Sequence, residues 1–240
     1  MTLLSLPCSF ARRAGTAVAL TALSVSVLSA QLIGTEPSQS PFRDLPTTQQ
    51  LTFSAGWLNA TTDAARVGPD AGPLLSLRHD IHLGGPAWLT TRYSALISER
   101  RVIDPGLPAV DRLQGKQSVT HHLANIGLTV ALTGKKTWRG VVPTLGLGVG
   151  LTSDFAPRDI GGYMFGTKFA LAFGPGVRIL LPRGYSMRVD ITNDMYQIQY
   201  PSTYFITASD TTSVLAIGAA RSSWRSNWGI TTGFSIPLFR

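Results

Sequence analysis

From residue 49 onward the chain alternates between apolar and polar positions in eight stretches. The gaps between them run long, short, long, short, long, short, long. One parity holds Leu, Ile, Val, Phe, Trp or Tyr; the other holds Gly, Ala, Ser, Thr, Asn or a charge. Period two outcompetes the helical period in every window, so the stretches read as strands. They span 49–59, 74–83, 87–98, 119–132, 139–152, 165–181, 185–199 and 223–239. The clearest is 139–152, where Val141, Leu145, Leu147, Val149 and Leu151 alternate with Thr144, Gly146, Gly148 and Gly150. In 185–199 the parity slips near Asn193, which predicts a bulge. Pro143 and Pro175 each remove a ladder hydrogen bond. Gly174-Pro175-Gly176 reads as a bulge or as a turn, and a turn would raise the count from eight strands to ten.

The polar parity is too poor in charge for a soluble barrel, which would show its charged face to water. Small polar residues suit the crowded inside of a narrow barrel instead. The expected fold is therefore all-β: an eight-stranded antiparallel up-and-down transmembrane β-barrel. The short gaps Gly84-Gly85-Pro86, Thr133 to Thr137 and Pro182-Arg183-Gly184 read as tight turns. With a periplasmic N-terminus they all fall on the periplasmic side, and the long loops one to four, near 60–73, 99–118, 153–164 and 200–222 in that order, face outward. Trp57, Trp88, Trp138, Tyr163, Tyr185, Tyr196, Tyr200 and Trp224 lie near strand ends, where membrane girdles form.

Composition agrees. Charged residues make up 14% of the 240, against about 25% in a soluble domain, and mean hydropathy is +0.14. After the N-terminus no run reaches the roughly 20 apolar residues of a membrane helix. The net charge of +8 forms no stripe and no basic helix, so nucleic acid is not an expected partner. Lipid headgroups, lipopolysaccharide phosphates and carboxylates inside the barrel are the expected counter-charges. The single Cys8 excludes a disulfide framework or a cysteine metal site.

Arg12 and Arg13 precede an Ala-, Ser- and Thr-rich apolar segment, 14–28, and Ser29-Ala30 offers a small-residue cleavage site. Residues 1–30 thus read as a cleaved secretory signal peptide. A retained membrane helix is the alternative. Residues 31–48, with Pro37, Pro41 and Pro46, read as an irregular periplasmic lead-in, and 49–240 as the barrel.

This pattern resembles the small outer-membrane β-barrels of the OmpA-domain and OmpX type. The resemblance covers residues 49–240 and rests on rhythm rather than on a sharp motif. It implies an outer-membrane location and recognition by the outer-membrane insertion machinery through a terminal aromatic signal. Here Phe234, Ile236 and Leu238 carry the outward parity, and Phe239 stands one residue before the end.

Inward parity collects Arg78, Asp80, Arg92, Lys168, Arg178, Arg188, Asp190 and Arg225. An unpaired charge inside a narrow barrel costs several kcal/mol, so Asp80 and Asp190 are expected to pair with arginines. Such a network serves as a polar plug, or as a gated pore or small-anion site. His79 and His82 flank Asp80, and His121 is adjacent to His122. Neighbouring strand positions point to opposite faces, so no metal site is expected. Ser76, Asp80 and His82 share a face, but the His-x-Ser spacing of barrel deacylases is absent, so catalysis is not expected. No cofactor signature appears. The segment 99–118 is charged, with Glu99, Arg100, Arg101, Asp104, Asp111, Arg112 and Lys116. The segment 200–222 carries Tyr200, Tyr204, Phe205, Ile206, Val214, Leu215 and Ile217, a partner surface or an extended hairpin. The sequence points to a structural or surface-interaction role, with an unidentified surface ligand on the loops. A narrow passive channel is the alternative, and a lipid-modifying enzyme is a weaker one.

Overall fold

A computed structural model describes residues 40–45 and 47–239. The expected signal peptide and most of the lead-in lie outside the described residues. The strands are β1 (Phe42–Asp44), β2 (Gln49–Asn59), β3 (Gly72–Gly84), β4 (Ala87–Ile103), β5 (Leu113–Ala131), β6 (Lys136–Trp138), β7 (Val141–Ser153), β8 (Lys168–Leu180), β9 (Ser186–Gln199) and β10 (Ser222–Phe239).

Eight of them close a barrel in the order β2-β3-β4-β5-β7-β8-β9-β10 and back to β2, with every pairing antiparallel. Closure satisfies the backbone of every strand from its neighbours, which a sheet surrounded by lipid requires. The large apolar side chains stand on the outside: Phe53, Leu75, Ile126, Leu147 and Phe234 are all exposed. Thr52, Ser94, Thr129, Thr144 and Ser235 are buried within. A barrel dissolved in water would need the reverse distribution. Gly146, Gly148 and Gly150 share the inward parity of β7 with Thr144 and Thr152, leaving room for long side chains from across the lumen.

The ten-strand alternative fails at Pro175. β8 runs straight through it and keeps β7 as partner, with Leu145 opposite Pro175. On the other side the ladder to β9 lapses after Phe173–Asn193 and resumes in the same register at Gly176–Asp190. The bulge expected near Asn193 is also absent. Registers to β8 and β10 pass it without a shift. What changes there is chemistry, not parity: Tyr196 and Ile198 turn inward and are buried. Asn193 sits on the outer parity, and its amide donates to the Ser226 hydroxyl at 2.6 Å.

Three further expectations are corrected. The lead-in is not wholly irregular, because β1 pairs with β6 in the turn between β5 and β7. That turn has free backbone to offer, since Arg139 and Gly140 reverse the chain at positive φ. Of the eight aromatics expected in girdles, Trp57, Trp138, Tyr185 and Trp224 are exposed, but Trp88, Tyr163, Tyr196 and Tyr200 are buried. Finally, the extended hairpin is β4–β5, paired out to Ile103–Leu113. It passes the last β5–β7 pair, His122–Ser153, by roughly 30 Å at about 3.3 Å per residue.

Candidate functional site in the lumen and mouth

The inward charges of β3 and β9 meet across the lumen. The Arg78 Nε donates to both oxygens of Asp80 at 2.9 Å. The Arg188 Nε donates to Asp190 at 2.6 Å. The pairs are cross-linked, with Arg188 at 3.7 Å from Asp80 and Arg78 at 3.8 Å from Asp190. Threonines complete the shell. Arg78 donates to Thr90 and Thr129 at 3.1 and 2.7 Å, Thr90 donates to Asp80 at 2.6 Å, and Arg188 donates to Thr144 at 3.2 Å. Four charges thus form one ring of ion pairs with a hydrogen bond inside each pair, which is how buried ions avoid an uncompensated desolvation cost.

The other four inward cations lie outside that ring. Arg92 donates to Asp194 at 2.6 Å and to Thr192 at 2.9 Å. Asp194 is a buried lumen carboxylate that the expected bulge had hidden. The unbroken i, i+2 run Arg188, Asp190, Thr192, Asp194 was the signal that could have found it. Arg178 donates to the Thr47 hydroxyl at 2.9 Å and lies 5.3 Å from the centre of the Trp88 ring. Lys168 reaches Gln199 at 3.0 Å at the long-loop end. Arg225 donates to the Thr62 carbonyl at 2.9 Å and contacts the Tyr200 hydroxyl at 3.4 Å. Between Arg78, Arg92, Asn125, Arg188, Asp190 and Thr192 a cavity of about 50 Å³ remains.

The remaining candidates do not assemble. His121 accepts from or donates to the Thr152 hydroxyl on the inside, while His122 meets the Tyr93 hydroxyl on the outside. Ser76 bonds Ser94, His82 bonds the Gly85 carbonyl, and Asp80 belongs to the ring. At the C-terminus Phe234, Ile236 and Leu238 point outward, and Phe239 pairs with Gln49 across a register shift.

Above the charges an apolar tier formed by Leu58, Leu74, Leu96 and Leu123 is buried across β2 to β5. Over it the loops close the mouth. Tyr163, Phe165, Tyr196, Tyr200, Tyr204 and Leu215 form one buried cluster with Ala65 and Val67. Loop four therefore turns much of its apolar content inward instead of extending the β9–β10 hairpin. Tyr200 donates to Asp63 at 3.0 Å, and Arg100 pairs with Asp159 at 3.4 Å while lying over Tyr163. Burial pushes the Asp159 carboxyl above its ordinary range, against the opposing help of the Tyr163 N–H and Arg100. Outside the plug, Asp210 ties loop four to loop two. It accepts from the Ala109 N–H at 2.7 Å and from Thr212 at 2.7 Å. The Ala109 N–H, helped by Thr212, holds its carboxyl down to about 2.

An apolar exterior around a closed polar lumen decides the fold. It is that of an eight-stranded antiparallel transmembrane β-barrel.

Solved structures of such barrels resemble this one at low identity. Neisserial surface protein A matches at 11% identity with a TM-score of 0.47, over 79% of this chain and 97% of that one. The outer-membrane protein OprG of Pseudomonas aeruginosa matches at 13% with a TM-score of 0.48, over 82% and 98%. Ail, the attachment invasion locus protein of Yersinia pestis, solved with the heparin analogue sucrose octasulfate, matches at 13% with a TM-score of 0.36, over 79% and 99%. No family model matches the sequence, and no curated protein does. Within the barrel, then, two structures stand out: a charge network across the lumen and a loop plug over its mouth.

Proposed function

We propose that this chain is an outer-membrane barrel with a structural or surface-interaction role, its long loops being the working surface. The observation that carries the reading is the obstructed lumen. From the long-loop end it is filled in turn by the aromatic plug, the leucine tier and the arginine–aspartate ring. Such a stack leaves the loops as the part able to meet another molecule. Their tips display apolar residues that the plug does not absorb: Val110, Phe155, Ile160 and Ile217. In this reading the signal peptide is cleaved, the N-terminus is periplasmic, lipopolysaccharide surrounds the long-loop end, and the segment ending in Phe239 addresses the insertion machinery. No hydrolytic role is proposed, because Ser76, Asp80 and His82 each have another partner.

Planar bilayers and intact cells test this together. The purified barrel should leave bilayer conductance at baseline. Photo-cross-linkers placed at Val110 and Ile217 should capture a surface partner that is lost on deleting either loop. Steady unitary conductance from the intact protein would replace this reading with the channel.

A further inference from the structure

Below the leucine tier, toward the short turns, the lumen carries one more cation than its carboxylates neutralise. Among the described residues, Arg78, Arg92, Arg178 and Arg188 face Asp80, Asp190 and Asp194 there. Each aspartate has its own close arginine: Asp80 has Arg78, Asp190 has Arg188 and Asp194 has Arg92. Arg178 is the one left over. It is 3% exposed and directly opposite Arg188 in the β8–β9 register, and like charges at facing positions repel. Among the described residues its Nε is buried with no hydrogen-bond partner, and its one side-chain bond is to the neutral Thr47 hydroxyl. A buried guanidinium in that state is missing an acceptor and a counter-charge at once.

Beside it lies a cavity of about 10 Å³, lined by Asp80, Trp88, Thr129, Thr144, Arg178 and Arg188 among others. That space is at the lower limit for one water-sized guest, so a monatomic anion enters only as the flexible Arg178 and Arg188 side chains draw back around it, and a tetrahedral oxyanion does not fit. We infer that the barrel binds a single halide ion, chloride in physiological media, between Arg178 and Arg188 at the short-turn end of the lumen. Asp80 shares the cavity wall, but both its oxygens already accept from the Arg78 Nε, and one also from Thr90. The carboxylate is thus turned to its own partners, while the Arg178 Nε still lacks an acceptor. Thr47, from the lead-in, accepts from Arg178 and from the Gln50 amide at 2.8 Å, placing a lid of neutral groups at this end. The inference does not depend on what the loops bind.

Bromide decides it. Crystals of the wild-type barrel grown in bromide should show an anomalous peak in the cavity beside Arg178; a cavity without one holds water instead, and the inference fails. In detergent at constant ionic strength, the midpoint of the heat-induced mobility shift should be several degrees higher in chloride or bromide than in gluconate, which is too large to enter. Arg178→Met should erase that difference. A halide dependence that survives the substitution intact would also overturn the assignment. Should Arg178→Met fail to fold, the wild-type bromide crystals settle the matter alone.

Discussion

Arg92 and Asp194 show how much a single lumen contact holds. Their side chains meet at 2.6 Å with 11% and 3% exposure. Arg92→Met leaves Asp194 a buried, unpaired carboxylate and should cost about 3–5 kcal/mol. Adding Asp194→Asn should recover most of that loss. Urea unfolding in lipid vesicles, followed by tryptophan fluorescence, separates the two variants. Asp210 makes the opposite case at the surface. Its folded carboxyl is depressed to about 2, so its contribution is complete above the ordinary carboxylate range and is lost only as pH falls through about 2. The Ala109 amide resonance should titrate with that low midpoint. A midpoint near 4 would mean that the loop-two tie does not form. Residue identity made the ring arginines readable in advance, because charge on the inward parity has few other uses. Asp194 escaped because Asn193 beside it looked like a parity slip.

At the scale of elements, close packing of backbones sets the tolerances. A Cβ at Gly174 would lie 1.9 Å from the Ile191 carbonyl oxygen, far inside contact distance, and Pro175 next to it already forgoes a ladder donor. Gly174→Ala should therefore separate β8 from β9 and abolish the heat-stable folded band. Gly134→Ala, in open space at φ +72°, should keep that band with a modest loss of about 1 kcal/mol. Strand positions were legible because lipid on one side and a packed lumen on the other impose strict alternation. β1 was not. Three residues between prolines carry no periodic signal, and their pairing with β6 depends on a turn nearly a hundred residues away. The fate of loop four was equally hidden, since an apolar loop reads alike whether it covers a partner or its own barrel.

At the largest scale the barrel is stoppered at its long-loop end, and the stopper can be loosened. Tyr204 is fully buried in the plug. Replacing it with Ala should cost about 3–5 kcal/mol by cavity formation. With Leu215→Ala added, loop four should become protease-sensitive while the barrel band persists. Simultaneous loss of both would mean that plug and barrel unfold as one. The sequence alone determined the barrel, its eight strands, its greasy outside and its cationic inside, because each follows from local alternation that any closed strand must obey. Only the tertiary structure decided which arginine meets which aspartate, that Arg178 meets none, and that the loops fold inward as a plug. Those outcomes turn on register and on the shape of the enclosed space, which bring together residues from distant strands that no local pattern connects.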